Sequence, residues 1–496
     1  MNITIIGGGT AGWLTSLLVK KYYPHYDISL IESDDIGILG AGEGTVPHFI
    51  NVLEELKISI NDLVKECSAT LKLGIKFTNW NGDLMSYMHG FDSYKVLSIP
   101  ALVSIIGDNK HLDLYSLPKL LVSRNRTSFI GEFKKENPME GIETTSFVGL
   151  HFNARKLALF LRKTAEQRGI KRIEGIVNYF ENDEQGNIKN VVLKDTSKIK
   201  TNFTFDCSGF ARLTAKHYGT EWKSYQKHLP MNSAIPFFIE HDNTNIKPIT
   251  EAIAMKYGWV WKIPVKDRYG CGYVFDSNYI DKDKALQEAE EFFGIKLQSP
   301  KHFKFEPGCY KDTYVKNTMS VGLSQSFVEP LEATSIWVFC MNLLDFLRDN
   351  GINNKSEIWR KQFNAKCLER NSNVVDFLYL HYMTQRNDSD FWRNFREKTT
   401  IPESVEQVLE VWKDVPPTRI DGYMGNGGPG MFHIPSWLQV ANGLKLLNTE
   451  AFKKYLTDTE QDVIIKEEIR KFSVDINEIS RKAIPHDVFL DTIRKN

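Results

Sequence analysis

The chain has 496 residues with 62 Lys+Arg against 62 Asp+Glu, so its formal net charge is zero, which argues against a charge-driven binder of polyanions such as nucleic acid. Hydrophobic residues make up 42% and charged residues 25%, ordinary for a folded globular chain, and no low-complexity tract argues for disorder. The longest nearly apolar stretch, Leu97 to Ile106, is half the roughly 20 residues of a membrane helix and contains Pro100, so no membrane span is expected. The six cysteines are scattered without C-x-x-C, which predicts reduced core thiols rather than disulfides or a zinc knuckle. The N-terminus enters an apolar run at once, without a basic leader, and reads as the start of the fold of a cytoplasmic protein.

In chain order, Ile3 to Ile6 is a short β run, a glycine turn follows, and Trp13, Leu14, Leu17, Leu18 and Tyr22 mark a helix before a second strand at Ile28 to Ile31. This is a βαβ unit. Leu71 to Phe77 alternates by two and reads as one strand. Asn153 to Arg168 is a helix, followed by strands near Arg172 to Phe180, Ile188 to Lys194 and Asn202 to Asp206. Pro230 to Phe275 is β-rich and predicts a sheet covering the site, and Lys282 to Phe293 is a charged helix. From Thr334 onward the pattern is helical, interrupted by the glycine-rich break Gly425 to Gly430.

Gly7-Gly8-Gly9-Thr10-Ala11-Gly12 satisfies G-x-G-x-x-G, and Glu32 stands at the end of the second strand, 20 residues after Gly12. Strand, glycines, helix, strand and acid in this order point to an adenine dinucleotide, with the helix N-terminus at the phosphates and Glu32 on the ribose. A second turn, Gly40-Ala41-Gly42-Glu43-Gly44-Thr45, follows closely, and the glycine-rich Gly425 to Gly430 reads as a loop break rather than a second dinucleotide signature for a nicotinamide cofactor, which favours one bound FAD. The expected fold class is therefore α/β, a Rossmann-like FAD-binding core of the glutathione-reductase type with a β-rich substrate region and a helical C-terminal subdomain. The core is placed at residues 1–345, with β-rich parts at about 70–130 and 230–280, and the helical subdomain at 346–496.

These motifs, with Gly74-Ile75-Lys76-Phe77 before Trp80, Asp206-Cys207-Ser208-Gly209-Phe210, the W-x-W-x-I-P of Trp259 to Pro264, and Phe327 to Ile336, resemble the flavin-dependent tryptophan halogenase family. The resemblance runs over most of the chain. It implies that reduced FAD and oxygen form a peroxyflavin, that halide attacks it, and that the hypohalous acid formed travels to a separate aromatic substrate. It also implies cofactor contacts from Gly7, Gly9, Thr10, Ala11, Gly12, Glu32, Ala41, Gly42, Thr45, Val177, Leu323 and Ile336. Thr334 and Ser335 precede an apolar helical run, where first-turn amides attract an anion, and matching family positions bind halide. Ala333 replaces the serine of the family's usual E-S-T.

Lys76 and Glu332 are the catalytic pair this resemblance implies, Lys76 engaging the oxidant and Glu332 orienting it and accepting the proton of the arenium intermediate. A lone lysine in an alternating strand is ordinarily solvated, and Glu329 could supply the same helix-terminal charge as Glu332. Whether Lys76 acts as a hydrogen-bonding ammonium or through a haloamine is open. Trp259 and Trp261 are implied to shield the flavin from organic substrate, and His89 and Phe91 to stack on it, although Gly90 replaces the proline of the family's H-P-F. The acid-and-aromatic segment that grips free tryptophan in tryptophan-specific members is not visible, which leaves other indoles, phenols or anilines open.

The implied partners are a separate flavin reductase and a small aromatic substrate, with no nucleic acid and no membrane; a homo-oligomer is left open. No metal site is indicated, since neither H-E-x-x-H nor a tight His/Cys cluster occurs among the 12 histidines. Two other readings stay open at this point, a flavin monooxygenase and an FAD-binding protein without turnover. Leu323, where related hydroxylases carry Asp, and the tryptophan segment disfavour the first, and Lys76 with Glu332 the second.

Overall fold

The structure, a computed structural model, describes all residues except 38–42, 136–137, 242–243, 298–300, 418–430, 458–461 and 496. Ala41, Gly42 and the Gly425 to Gly430 break therefore lie outside the described residues.

The opening βαβ unit is formed by the strand Asn2–Ile6, the helix Thr10–Tyr22 and the strand Asp27–Glu32. Asn2–Ile6 lies inside a six-stranded sheet, parallel to Asp27–Glu32 on one side and to Phe203–Asp206 on the other. Ile3, Ile5, Ile28, Leu30 and Phe205 are all buried, as expected of parallel strands covered on both faces. The carboxyl ends of these three strands converge on Gly7, Glu32 and Cys207, the crevice where open α/β sheets hold ligands. The Asn153 to Arg168 helix spans Ala154–Gln167, its N-terminus capped by Asn153, whose side chain accepts from Lys156 N at 3.1 Å.

Leu71 to Phe77 is two strands rather than one. Thr70–Lys72 pairs with Gly149–Phe152, which also takes up Glu43–Gly44, whereas Gly74–Thr78 joins a seven-stranded sheet between Thr250–Ala254 and Ser86–Gly90. The break is at Gly74, with φ +154°, where an added Cβ would lie 2.4 Å from the His89 carbonyl oxygen. Alternation conceals it because Leu71, Leu73, Ile75 and Phe77 are all buried, the first two in the core beneath the six-stranded sheet and the last two in a separate core. Arg172 to Phe180 divides in the same manner into Lys171–Glu174 and Val177–Asn182, which belong to different sheets.

The β-rich stretch forms Ser233–Ile239, Thr250–Ala254, Gly258–Val265 and Arg268–Phe275 of the seven-stranded sheet. Its inner face packs Ile75, Phe77, Ala252 and Trp259 against Phe377, Tyr382, Trp392 and Trp437 from the C-terminal helices. Those helices include Ser335–Arg348, Glu357–His381 and Ile434–Gly443, and the short strand Ala483–Pro485, paired with Arg126–Ile130, interrupts the expected helical run. All six cysteines are buried and free. No helix among the described residues is long and apolar enough to cross a membrane.

Candidate active site

The glycines of the first turn divide their work as the motif requires. A Cβ at Gly7 would lie 2.3 Å from Cys207 O and one at Gly12 would lie 1.8 Å from Gly7 O, so both are demanded by close backbone packing. Gly9, the N-cap of the Thr10–Tyr22 helix, instead faces open space, and neither a side-chain cap nor an acid occupies that helix's first turn. Thr10 and Ala11 sit in that turn, and Gly322 brings the Gly322–Ser324 turn carrying Leu323 to within 3.0 Å of Ala11 Cβ, measured from the Cβ that Gly322 lacks. The Glu32 carboxylate lies against Gly8 and accepts from Arg172 Nε at 2.7 Å and Arg162 Nη1 at 3.4 Å.

Open helix N-terminus, glycine aperture and oriented acid together fit the pyrophosphate and ribose of a dinucleotide. Val177 packs on the small apolar cluster of Ile6 and Ile31 behind this crevice. Thr45 is buried, with its hydroxyl accepting from Leu150 N at 2.9 Å, so the side chain fastens the Glu43–Gly44 strand. The Ser335–Arg348 helix begins with Thr334 as N-cap, and no side chain caps it. Its first turn carries no acid, Thr334 and Ile336 are buried, and Ser335 is exposed. Such a turn fits a halide.

The other end of the site centres on Glu332, which is fully buried. His89 Nδ1 lies 2.9 Å from its Oε2, and His381 Nε2 lies 2.9 Å from its Oε1. Burial would raise this carboxyl, but the two imidazoles beside it override burial and hold it down at about 2, so it is ionised.

The lysine that shares this compartment is Lys72, not Lys76. Lys72 is completely buried, its Nζ has no hydrogen-bond partner, and burial pushes it down to about 8 against the opposing pull of Glu332. Its ammonium stands 5.4 Å from the Phe91 ring centroid and 3.4 Å from where a Gly44 Cβ would be, next to the cofactor-side turn. Lys76 is excluded by register. Ile75 is the cross-strand partner of His89, so Lys76, its neighbour, opens on the opposite face of the sheet beside Met88. The two lysines stand four apart in one run with apolar residues on both sides, and only the break at Gly74 separates them; no periodicity in the sequence does.

Glu329 also escaped sequence reading as a member of the site. Trp259 Nε1 donates to its Oε2 at 2.9 Å, and the Tyr382 hydroxyl makes a short hydrogen bond to the same oxygen. Burial raises Glu329 to about 7 even though both donors favour its charged form, and its Oε1 is buried without a partner. Trp259 is thus anchored by its indole N–H. Trp261 is half-buried, lies flat on Gly272 where a Cβ would be 2.1 Å from its ring, and stands 6.3 Å from Trp259 at 61°.

His89 and Phe91 both reach the site but differ in task. The His89 imidazole serves Glu332 and packs 5.3 Å from Phe377, whereas Phe91 lies beneath Lys72. Phe377 and Phe432 stack with centroids 3.8 Å apart, extending an aromatic wall from His89. Of the C-terminal segments, His381 and Tyr382 belong to the two carboxylates, while Trp392 Nε1 donates to Met255 O at 2.8 Å within the core.

Known proteins are similar to this chain in sequence and fold. The profile of the tryptophan halogenase family matches residues 2–459. Over 434 residues the chain is 29% identical to the tryptophan 7-halogenase RebH of Lentzea aerocolonigenes, spanning 83% of this chain and 82% of RebH. Among solved structures, the flavin-dependent halogenase Xcc4156 from Xanthomonas campestris has a TM-score of 0.88 at 25% identity, covering 99% of this chain and 98% of its own. BrvH, a flavin-dependent halogenase from Brevundimonas sp. BAL3, has a TM-score of 0.86 at 26% identity over 99% of each chain. With a family match over nearly its whole length, the chain belongs to the tryptophan halogenase family and is an FAD-dependent halogenase.

Proposed function

We propose that the enzyme halogenates an electron-rich aromatic ring of the indole or tryptophan type by electrophilic substitution, with Lys72 and Glu332 as the reacting pair. Reduced FAD, delivered by a separate reductase, supplies with oxygen and halide the hypohalous oxidant. The glycine turn and Glu32 hold the dinucleotide, and the Ser335–Arg348 helix N-terminus attracts the halide. Trp259, anchored on Glu329, and Trp261 form a wall that keeps organic substrate apart from the cofactor.

Lys72 Nζ directs the oxidant by donating a hydrogen bond, a task for an ammonium with no other partner. Glu332, ionised between His89 and His381, accepts the ring proton as aromaticity is restored. The aromatic wall of Phe91, His89 and Phe432 offers ring faces to an indole, and the tryptophan substrate named for RebH supports that class.

The observation that carries this reading is the fully buried, unpartnered Lys72 ammonium in the field of Glu332. The test supplies the enzyme with FAD, a reductase, oxygen and each halide against a panel of indoles and phenols, with products read by mass spectrometry. Halide-shifted product that disappears in Lys72→Ala and persists in Lys76→Ala is expected. Hydroxylated product, or full turnover by Lys72→Ala, would overturn it.

A further inference from the structure

The outer face of the seven-stranded sheet carries a second cavity that the halogenation machinery does not use. Its volume is about 490 Å3, and among the described residues Lys76, Lys119, Lys247 and Lys262 line it against one acid, Glu251. Lys76, Glu251 and Lys262 form one cross-strand row, since Lys76 pairs with Glu251 and Glu251 with Lys262. Lys119 is paired with Asp113 at 3.1 Å, and Lys262 Nζ stands 4.2 Å over the Tyr269 ring. Lys76, Lys247 and Lys262 have no ion pair among the described residues, and neither does Glu251.

In a chain whose positive and negative side chains balance, Lys76, Lys247 and Lys262 against Glu251, with Lys119 neutralised by Asp113, is a local excess of positive charge. Converging ammonium groups repel one another, and an entering anion relieves that repulsion. Lysine binds phosphate as a compact point charge with rotatable donors, and Ser86 and Asn245 add neutral donors around it. We propose that this cavity binds a small phosphate-bearing ligand, its phosphate oxygens held by Lys76, Lys247 and Lys262. Glu251 accepts a hydroxyl or amine of the remainder. The phosphate can be inorganic or esterified, and the chemistry of its capture is the same.

The test is calorimetric titration of the FAD-saturated enzyme, so that the dinucleotide site is already filled, with pyrophosphate and separately with AMP. One equivalent is expected to bind, at least tenfold more weakly in Lys76→Gln/Lys262→Gln and unchanged in Lys316→Gln, which lies in a different basic cleft. Tighter binding of AMP identifies an esterified ligand and tighter binding of pyrophosphate an inorganic one, and either supports the site. Lys247→Gln, on an exposed segment, repeats the comparison should the double variant melt early. No binding by the saturated enzyme, equal affinity in the lysine variants, or citrate binding as tightly as pyrophosphate would overturn the proposal.

Discussion

His89 Nδ1 lies 2.9 Å from Glu332 Oε2, and because His89 is the cross-strand partner of Ile75, this contact assigns a direction to every side chain of the Gly74–Thr78 strand. Ile75 and Phe77 face the core behind the carboxylate, and Lys76 faces away. The lysine that lies in the field of Glu332, Lys72, comes from before the break.

Lys72→Met is expected to lower halogenation by at least about 100-fold, the lower range for loss of a positioned proton-transfer or hydrogen-bonding group. Flavin binding stays, and thermal stability holds or rises, because the substitution removes a buried cation that has no hydrogen-bond partner. Product analysis and a melting curve on the same preparation check both halves.

Lys72 is held down at about 8 by burial, so the ammonium is present at neutral pH and lost above about 8. If the ammonium directs the oxidant, turnover falls as pH rises through that value. A rise through the same value would instead identify the free amine as the working form. Rate against pH, with reduced flavin supplied in excess, separates the two.

His381→Phe removes one of the two groups that hold Glu332 down at about 2, leaving burial less opposed. The carboxyl then titrates higher. The acid limb of the kcat profile moves upward in pH accordingly, while KM for the aromatic substrate changes less.

Glu329 has a folded value raised by burial to about 7 from an ordinary 4.5. The folded chain therefore binds more protons than the unfolded one between these values, and this group's contribution to stability is lost as pH rises from about 4.5 through about 7. Glu329→Gln keeps an acceptor for Trp259 and Tyr382 and removes that decline, so its Tm relative to the parent improves from pH 5 to pH 8. Glu329→Ala leaves both donors unpaired and costs roughly 1–3 kcal/mol.

Gly74→Ala places a Cβ 2.4 Å from His89 O at φ +154°. Backbone strain alone costs about 1–3 kcal/mol, and the clash pushes on the residue that holds Glu332. Both Tm and halogenation are expected to fall, whereas Gly141→Ala, at φ +80° with its nearest neighbour 3.9 Å away, affects Tm only.

Much of this architecture can be read from residue order alone, because the βαβ unit announces itself by local features. Glycines at fixed offsets, one helical period and one acid at a strand end suffice to place Gly7, Gly9, Gly12 and Glu32, and the same locality places Thr334 at a helix start. Lys72 could not be chosen over Lys76 in this way. A β break leaves an alternating pattern intact when both sides are buried, and Leu71, Leu73, Ile75 and Phe77 are buried in two different cores. Arg172 beside Glu32, and His381 beside Glu332, are contacts between residues 140 and 49 positions apart, which no local pattern encodes.

Glu329 and Glu332 are the same residue type three positions apart in one buried segment, yet one titrates near 7 and the other near 2. Between those limits the segment carries one negative charge, always on Glu332. A rise in pH through neutrality therefore adds a second negative charge beside Trp259 and Tyr382 without moving the first, and the field at a reacting ring strengthens as Glu329 ionises.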